Sequence, residues 1–140
     1  MSGCLFCQIA EGERHAYKVF EGEGEVAFLD IFPCTPGHTL VIPRHHYPTL
    51  SEMSPQDTGR LFQTASLVAG KVQEAMGAAG FNLGVNNGRA AGQEVFHVHI
   101  HIIPRYSHDG GGSMKSVARI SGGKDLEQIA TTVRQVISSS

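Results

Sequence analysis

Residues 97–105 read HVHIHIIPR, and in this stretch His97, His99 and His101 alternate with Val98, Ile100 and Ile102. A period of two is the repeat of a half-buried β-strand, so the three imidazoles are expected on one face and the aliphatics on the other. No other segment constrains the fold as tightly. It calls for a sheet with one face on a core and a second face where imidazoles are wanted. A core would favour valine at those positions, and a solvent face lysine or glutamate. Satisfied core or surface histidines are the bland alternative, and they suit one isolated histidine better than three in strict alternation.

The flanking pattern supplies the rest of such a sheet. AYKVFE and EVAFLDIF read as two strands joined by the turn GEG, and HTLVIPR as a third that ends at or soon after Pro43. SPQDTGRLFQTASLVAGKVQEAMGAAG reads as the main helix, with Ser54 as N-cap, Pro55 at the first helical position, and Gly77 and Gly80 as the stop. Leu61, Phe62, Ala65, Leu67, Val68, Val72, Ala75 and Met76 form its apolar stripe at roughly 3.6-residue spacing. FNLGVNN and EVFHVHIHIIPR are two further strands around the loop NNGRAAGQ, and SHDGGGSM is a loop. DLEQIATTVRQVI closes the chain as an amphipathic helix with Leu126, Ile129, Ala130, Val133 and Val136 on one side. Strands in hairpin-like succession with few helices give an α+β class: a sheet of about five antiparallel strands, one long central helix and a C-terminal helix. No internal repeat or linker divides residues 1–140, so a single domain is expected.

Composition narrows the function. A chain of 140 residues buries about 68–70% of its unfolded surface, enough for one core without disulfide staples. The formal charge of -2 gives no electrostatic case for nucleic acid. No run of about 18 apolar residues is present, and MSGCLFCQIAEGERH lacks the basic and apolar regions of a signal peptide, so a cytoplasmic address and no membrane partner are expected. Cys4, Cys7 and Cys34 are an odd number, and Cys4-x-x-Cys7 in a reducing compartment reads as a metal or redox device.

Two chemistries compete for the histidine row. Consecutive same-face residues on a strand lie about 6.5–7 Å apart, so two of the three imidazoles can share a zinc ion that takes a third ligand from elsewhere, as in a zinc-water hydrolase. Alternatively, a neutral imidazole attacks phosphorus directly, its second nitrogen held by a hydrogen bond that fixes the tautomer.

HVHIHII fits His-Φ-His-Φ-His-Φ-Φ, with Φ apolar, at every position. Together with VNNG before AGQEVFHVHIHIIPR, FLDIFPCTPGHTLVIPRHH and CLFCQIAEG, in that order and spacing, it resembles the histidine triad family of nucleotide hydrolases and transferases, in particular bacterial members with an N-terminal zinc site. The resemblance spans residues 4 to about 110. It implies that His99 is the nucleophile towards the α-phosphorus of a nucleoside phosphoramidate, dinucleoside polyphosphate or related conjugate, and that His101 and His38 orient and tune it. It further implies that Gln93 contacts phosphate or leaving-group oxygens beside the backbone amides of the loop AGQEV, with Glu94 and Val95 on the substrate-binding side. Asn86 would lie near ribose and phosphate, and Asp30 would accept from the ribose hydroxyls of a purine nucleotide. Cys4, Cys7, His46 and His97 would hold a structural zinc ion, with His45 the rival to His46 and Cys34 left unligated. A homodimer that continues the sheet is also implied. Glu94 departs from the pattern, because many relatives carry a serine or threonine donor there, whereas an ionised carboxylate only accepts and repels an anion. It turns away, is protonated, or faces a cationic leaving group. A nucleotide-binding module without turnover is the alternative outside enzymes.

Overall fold

The computed structural model describes residues 3–123 and 125–139. Helix α1 (Leu5–Ala10) precedes strands β1 (Lys18–Glu21), β2 (Glu25–Leu29) and β3 (Thr39–Pro43). The long helix α2 (Pro55–Met76), strands β4 (Gly80–Gly84) and β5 (Ile100–Arg105), and helix α3 (Leu126–Ser138) follow. The strands form one sheet in the order β1-β2-β3-β5-β4, antiparallel at every pairing. This is the expected α+β fold with five strands, a central helix and a C-terminal helix.

The central strands are buried on both faces, and their alternation decides what meets what. Ala27, Val41, Val98, Ile100 and Ile102 pack with Leu61, Ala65, Val68 and Ala69 of α2. On the opposite face Val26, Phe28, Leu40 and Ile42 pack with Phe6, Ile9 and Ala10 of α1. Burial of this kind contributes about 25 cal/mol per Å² of apolar surface, so each face carries several kcal/mol. Helix α1 has no place in the layout expected from the sequence. Its six residues show too short a period to register, and its N-cap is a sulfur: Cys4 Sγ accepts from the Cys7 backbone amide at 3.5 Å.

Several boundaries differ from the sequence reading. Strand β5 begins at Ile100 instead of Glu94. Its register with β3 pairs Thr39 with Ile102, Leu40 with His101 and Val41 with Ile100, so continuation would set Val98 opposite Pro43, which has no N–H to give. The Val98 amide donates instead to the Tyr47 carbonyl at 2.8 Å. The row of histidines thus straddles the end of a strand, with His101 inside the ladder and His97 and His99 beyond it. Ser54 caps α2 through the Asp57 amide, Pro55 opens it, and Gly77 closes it at φ 62°, a left-handed conformation cheap only for glycine. Gly80 opens β4 and takes no part in that stop. Phe62, Leu67 and Met76 belong to the α2 stripe by spacing yet are exposed, because the sheet covers only the Leu61–Ala65–Val68–Ala69 line. Helix α3 forms, capped by Asp125, but Leu126, Ile129, Val133 and Val136 are all exposed.

Candidate active site and metal centre

The two ends of the histidine row do different things. His97 is fully buried, and its Nε2 lies 2.8 Å from the Pro43 carbonyl. A carbonyl only accepts, so Nε2 carries the proton and Nδ1 is a bare lone pair. That lone pair points at Cys4 Sγ and Cys7 Sγ, each 3.5 Å away, and at His46 Nδ1, 3.2 Å away, which is itself 3.4 Å from Cys7 Sγ. A tetrahedral zinc with bonds of about 2.05 Å to nitrogen and about 2.3 Å to sulfur sets its ligands about 3.3 Å (N–N) and about 3.6 Å (N–S) apart. His97 Nδ1 and its three neighbours, and the His46–Cys7 pair, already stand close to these separations, and all four ligand atoms lie within 4.8 Å of one another. Two nitrogens and two sulfurs also close the shell, and the Pro43 carbonyl supplies the outer partner that orients a ligating histidine. Cys4, Cys7, His46 and His97 therefore fit zinc. His45 turns its ring against Tyr47 instead.

A second group, Asp30, His38 and His101, also brings ligand-type atoms close together among the described residues. Its hydrogen bonds read differently. The Cys34 backbone amide donates to His38 Nδ1 at 3.2 Å, so His38 carries its proton on Nε2 and donates it to His101 Nδ1 at 2.9 Å. His101 in turn has its proton on Nε2. Asp30 Oδ2, 3.5 Å from His38 Nε2, steadies the chain, while Oδ1 accepts from the Phe32 amide. This is a proton-bearing relay in which neither imidazole keeps a vacant lone pair for a cation.

His99 lies between the two groups. Its Nδ1 donates to the His97 carbonyl at 2.8 Å, leaving Nε2 unprotonated. Its ring centroid is 5.0 Å from that of His101, and Phe6 of α1 stands edge-on at 5.1 Å. Burial holds the imidazole of His99 below its ordinary pKa of 6.5, the His97 carbonyl and Asp30 pulling the other way. Burial and the neighbouring His99 and His38 push His101 down to about 4. Both rings are neutral near pH 7, the state in which a nitrogen can attack.

His38, His99 and His101 open into a cleft of about 990 Å³, whose walls include Leu5, Phe6 and Ile9 of α1, Phe28, Leu40, Asp30, Asn86, Glu94 and Val95. The structure thus gathers most of the residues singled out in the sequence. Gln93 is the exception and a correction. It is buried at 4% exposure and lies outside the lining of the cleft. Its Oε1 accepts from the Gly88 amide, and its Nε2 donates to the carbonyls of Pro48 and Val95. With every polar atom spent on backbone, it holds the loop and leaves nothing for a phosphate. The α1 wall escapes the sequence reading altogether, although Leu5, Phe6 and Ile9 sit at helical spacing immediately after the cysteine that caps them.

Residues 11–108 match the HIT domain. The chain belongs to the HIT family. Adenylylsulfatase HINT3 of Arabidopsis thaliana is 39% identical to it over 138 residues, covering 97% of this chain and 70% of that protein. A HIT family protein of Bacillus anthracis superimposes with a TM-score of 0.87 at 35% identity, covering 99% of this chain and 98% of the other. A zinc-bound histidine triad family protein of Mycobacterium smegmatis gives a TM-score of 0.74 at 31% identity, covering 99% and 98%. With such a relative, the HIT cluster of Cys4, Cys7, His46 and His97 can be placed as one able to bind zinc.

Proposed function

We propose that this HIT protein is a nucleotide hydrolase, cleaving at the α-phosphate of a nucleoside phosphoramidate, dinucleoside polyphosphate or related conjugate through a nucleotidyl–His99 intermediate. The observation that carries the proposal is the pair of opposed tautomers at the cleft: a bare Nε2 on His99 beside a protonated Nε2 on His101. In the first step His99 Nε2 bonds to phosphorus as the bond to the leaving group breaks, with His101 Nε2–H hydrogen-bonded to the departing atom, which takes any proton it needs from solvent. In the second, water takes the place of His99 on phosphorus and gives up a proton to solvent, and His99 returns to its neutral form. Asp30 and Asn86 line the same cleft, which supports contacts from them to ribose and phosphate. Its volume lies within the range of small-molecule sites. The name of the Arabidopsis relative adds adenylyl sulfate to the candidate substrates.

Zinc held by Cys4, Cys7, His46 and His97 would tie α1, and hence one wall of the cleft, to the histidine segment. This donor set has no open position for a reactive water, and none of the four residues lines the cleft. A zinc-water hydrolase is therefore disfavoured. We further read the chain, residues 1–140, as one HIT unit working as a homodimer in the cytoplasm. Strand β4 is a sheet edge with Phe81 exposed, and α3 exposes Leu126, Ile129 and Val133.

The deciding measurement is mixing wild type and His99→Asn with adenosine 5′-phosphoramidate carrying a labelled phosphorus. Wild type is expected to trap label on the protein on acid quench, and the variant to lose at least a thousandfold in kcat/KM. Turnover that survives in His99→Asn, or that vanishes on chelation while the protein stays folded, would sink covalent catalysis. Nucleotide binding with no turnover would leave a binding module.

A further inference from the structure

The cleft runs across the strands, and different parts of the chain build its two ends. His99 immediately precedes β5, Asp30 follows directly on β2, and residues 13–16 lead towards β1. The sheet order β1-β2-β3-β5 puts three inter-strand spacings, about 14 Å, between β5 and β1. The Leu29 amide donates to the Tyr17 carbonyl at 3.0 Å, so the chain entering β1 passes beside the segment that holds Asp30, Ile31 and Phe32. Glu13 and Arg14 line the same cleft as His99 and Asp30, at the end remote from the histidines.

Arg14 is held in place by Gln8. Gly12 turns the chain after α1 at φ 80°, a conformation that side-chain-bearing residues rarely adopt. The amides of Glu13 and Arg14 then both donate to the Gln8 carbonyl, at 2.8 and 3.2 Å, and Arg14 Nε donates to Gln8 Oε1 at 3.0 Å. The guanidinium thus spends its inner N–H within the protein, and among the described residues its two outer amino groups have no other partner. Glutamine is a side chain able to read adenine, which offers a donor at N6 and an acceptor at N7, but the Gln8 oxygen already serves Arg14. What this end of the cleft offers a base is a fork of donors on Arg14 and a carboxylate acceptor on Glu13.

We propose that Arg14 and Glu13 read the base of the bound nucleotide and make the cleft prefer guanosine over adenosine nucleotides. The proposal rests on the nucleotide reading of the cleft, with phosphate at His99 and ribose at Asp30, and needs no covalent step. In a ribose whose 2′- and 3′-hydroxyls sit on Asp30, the base on C1′ and the phosphate on C5′ leave from opposite sides of the diol. The base is therefore directed across β2 towards β1, where Ile31 and Phe32, 68% and 84% exposed, offer it apolar surface. Guanine carries acceptors at O6 and N7, which suit the Arg14 fork, and donors at N1 and N2, which suit the Glu13 carboxylate. Adenine sets a donor at N6 against the guanidinium and a lone pair at N1 against the carboxylate. Asp30 holds the ribose of either nucleotide, so discrimination falls to the two charged side chains.

The test measures binding first and turnover second, on full-length protein. By calorimetry, guanosine 5′-monophosphate is expected to bind about tenfold or more tightly than adenosine 5′-monophosphate, the scale of one good bidentate base contact. Inosine 5′-monophosphate, which lacks only the 2-amino group of guanine, should fall in between. Arg14→Ala should bring the inosine-to-adenosine ratio towards one, and Glu13→Ala the guanosine-to-inosine ratio. Both side chains are exposed, so neither variant removes core packing. Arg14→Lys, which keeps the charge but not the fork, should lose the base preference and hold its affinity for adenosine 5′-monophosphate. Equal affinities for the three monophosphates in wild type, or an Arg14→Ala variant that weakens all three alike, would overturn the assignment. On the corresponding phosphoramidates kcat/KM should follow the same ratios. A binding preference without turnover would sink the His99 chemistry and keep the base reading, and turnover without a base preference would do the reverse. If none of the three monophosphates binds, both fall.

Discussion

At the scale of single residues, the site is governed by where protons sit, and each location follows from one backbone group. The Pro43 carbonyl frees His97 Nδ1, the His97 carbonyl frees His99 Nε2, and the Cys34 amide forces the His38 proton towards His101. Three histidines spaced two apart consequently differ in what they offer: a bare Nδ1 on His97, a bare Nε2 on His99 and a proton on His101 Nε2, the differences on which the proposed roles rest. The arrangement requires neutral rings, which sets a pH dependence for stability. His101 is pushed down to about 4 by burial first and by His99 and His38 next, with Asp30 opposing, and burial also lowers His38. Their folded values lie below the 6.5 of an unfolded chain, so as pH falls the unfolded chain binds protons first. The contribution is whole above about pH 6.5 and is lost progressively towards about pH 4. The urea midpoint of the wild type should fall between pH 7 and pH 4.5, and should fall less in His101→Asn. Zinc-ligand protonation acts on both proteins and cancels in the difference. Equal falls would mean that burial does not hold the ring neutral. The alternation in HVHIHII makes the shared face of the three rings legible from the amino-acid order alone. It does not reveal which nitrogen of each ring is free, because that depends on carbonyls and amides brought up by β3 and the turn that precedes it. Gln93 shows the same limit. Its type fits a phosphate contact, but its loop folds back on it and spends its amide.

At the scale of elements, α1 is the least self-sufficient part that the cleft depends on. Six residues are far too few for a helix that stands alone in water, and α1 is held by Phe6, Ile9 and Ala10 on the sheet and by the sulfurs at its start. Phe6 touches both His97 and His99 edge-on, so a shift of α1 moves the wall beside His99. Zinc present at a thousandfold its Kd would stabilise the folded state by about 4 kcal/mol. At roughly 4 °C per kcal/mol for a chain of this size, chelation or Cys7→Ser should lower Tm on the order of 15 °C. His99, the proposed nucleophile, remains, so activity measured well below the new Tm should persist in part. A Tm unmoved by both treatments would show that these four residues hold no structural ion. The motif Cys4-x-x-Cys7 is legible as a metal device, but the helix between and after its cysteines is not. Only the packing of Phe6 and Ile9 against strands more than fifteen residues away gives that segment a reason to coil. The shortened β5 is the converse case, since Pro43 ends a ladder on the neighbouring strand, where the alternating sequence of β5 cannot register it.

At the scale of the whole molecule, α3 is an element whose apolar side a single chain leaves largely exposed. An isolated helix of 13 residues is marginal in water. Yet Leu126, Ile129, Val133 and Val136 present their apolar face at 70%, 45%, 49% and 67% exposure. The sequence reading puts these residues on one side correctly and leaves open what that side meets. Leu126 and Val133 are left exposed, whereas the α2 line of the same period is covered by the sheet. Phe62, Leu67 and Phe81 are exposed as well, and β4 leaves a free row of backbone groups. Stable pairs bury on the order of 800 Å² per partner, and a second copy using α3 together with the β4 edge would supply surfaces of the right chemistry. Light scattering should therefore give twice the chain mass of 15.0 kDa at micromolar concentration. The double variant Ile129→Asp, Val133→Asp should give a single chain mass and lose helical signal at 222 nm, because α3 would melt once unpartnered. Wild type running as a monomer with full helicity would show that α3 stands without a second copy. A double variant that remains dimeric would place the interface on β4 and α2 alone.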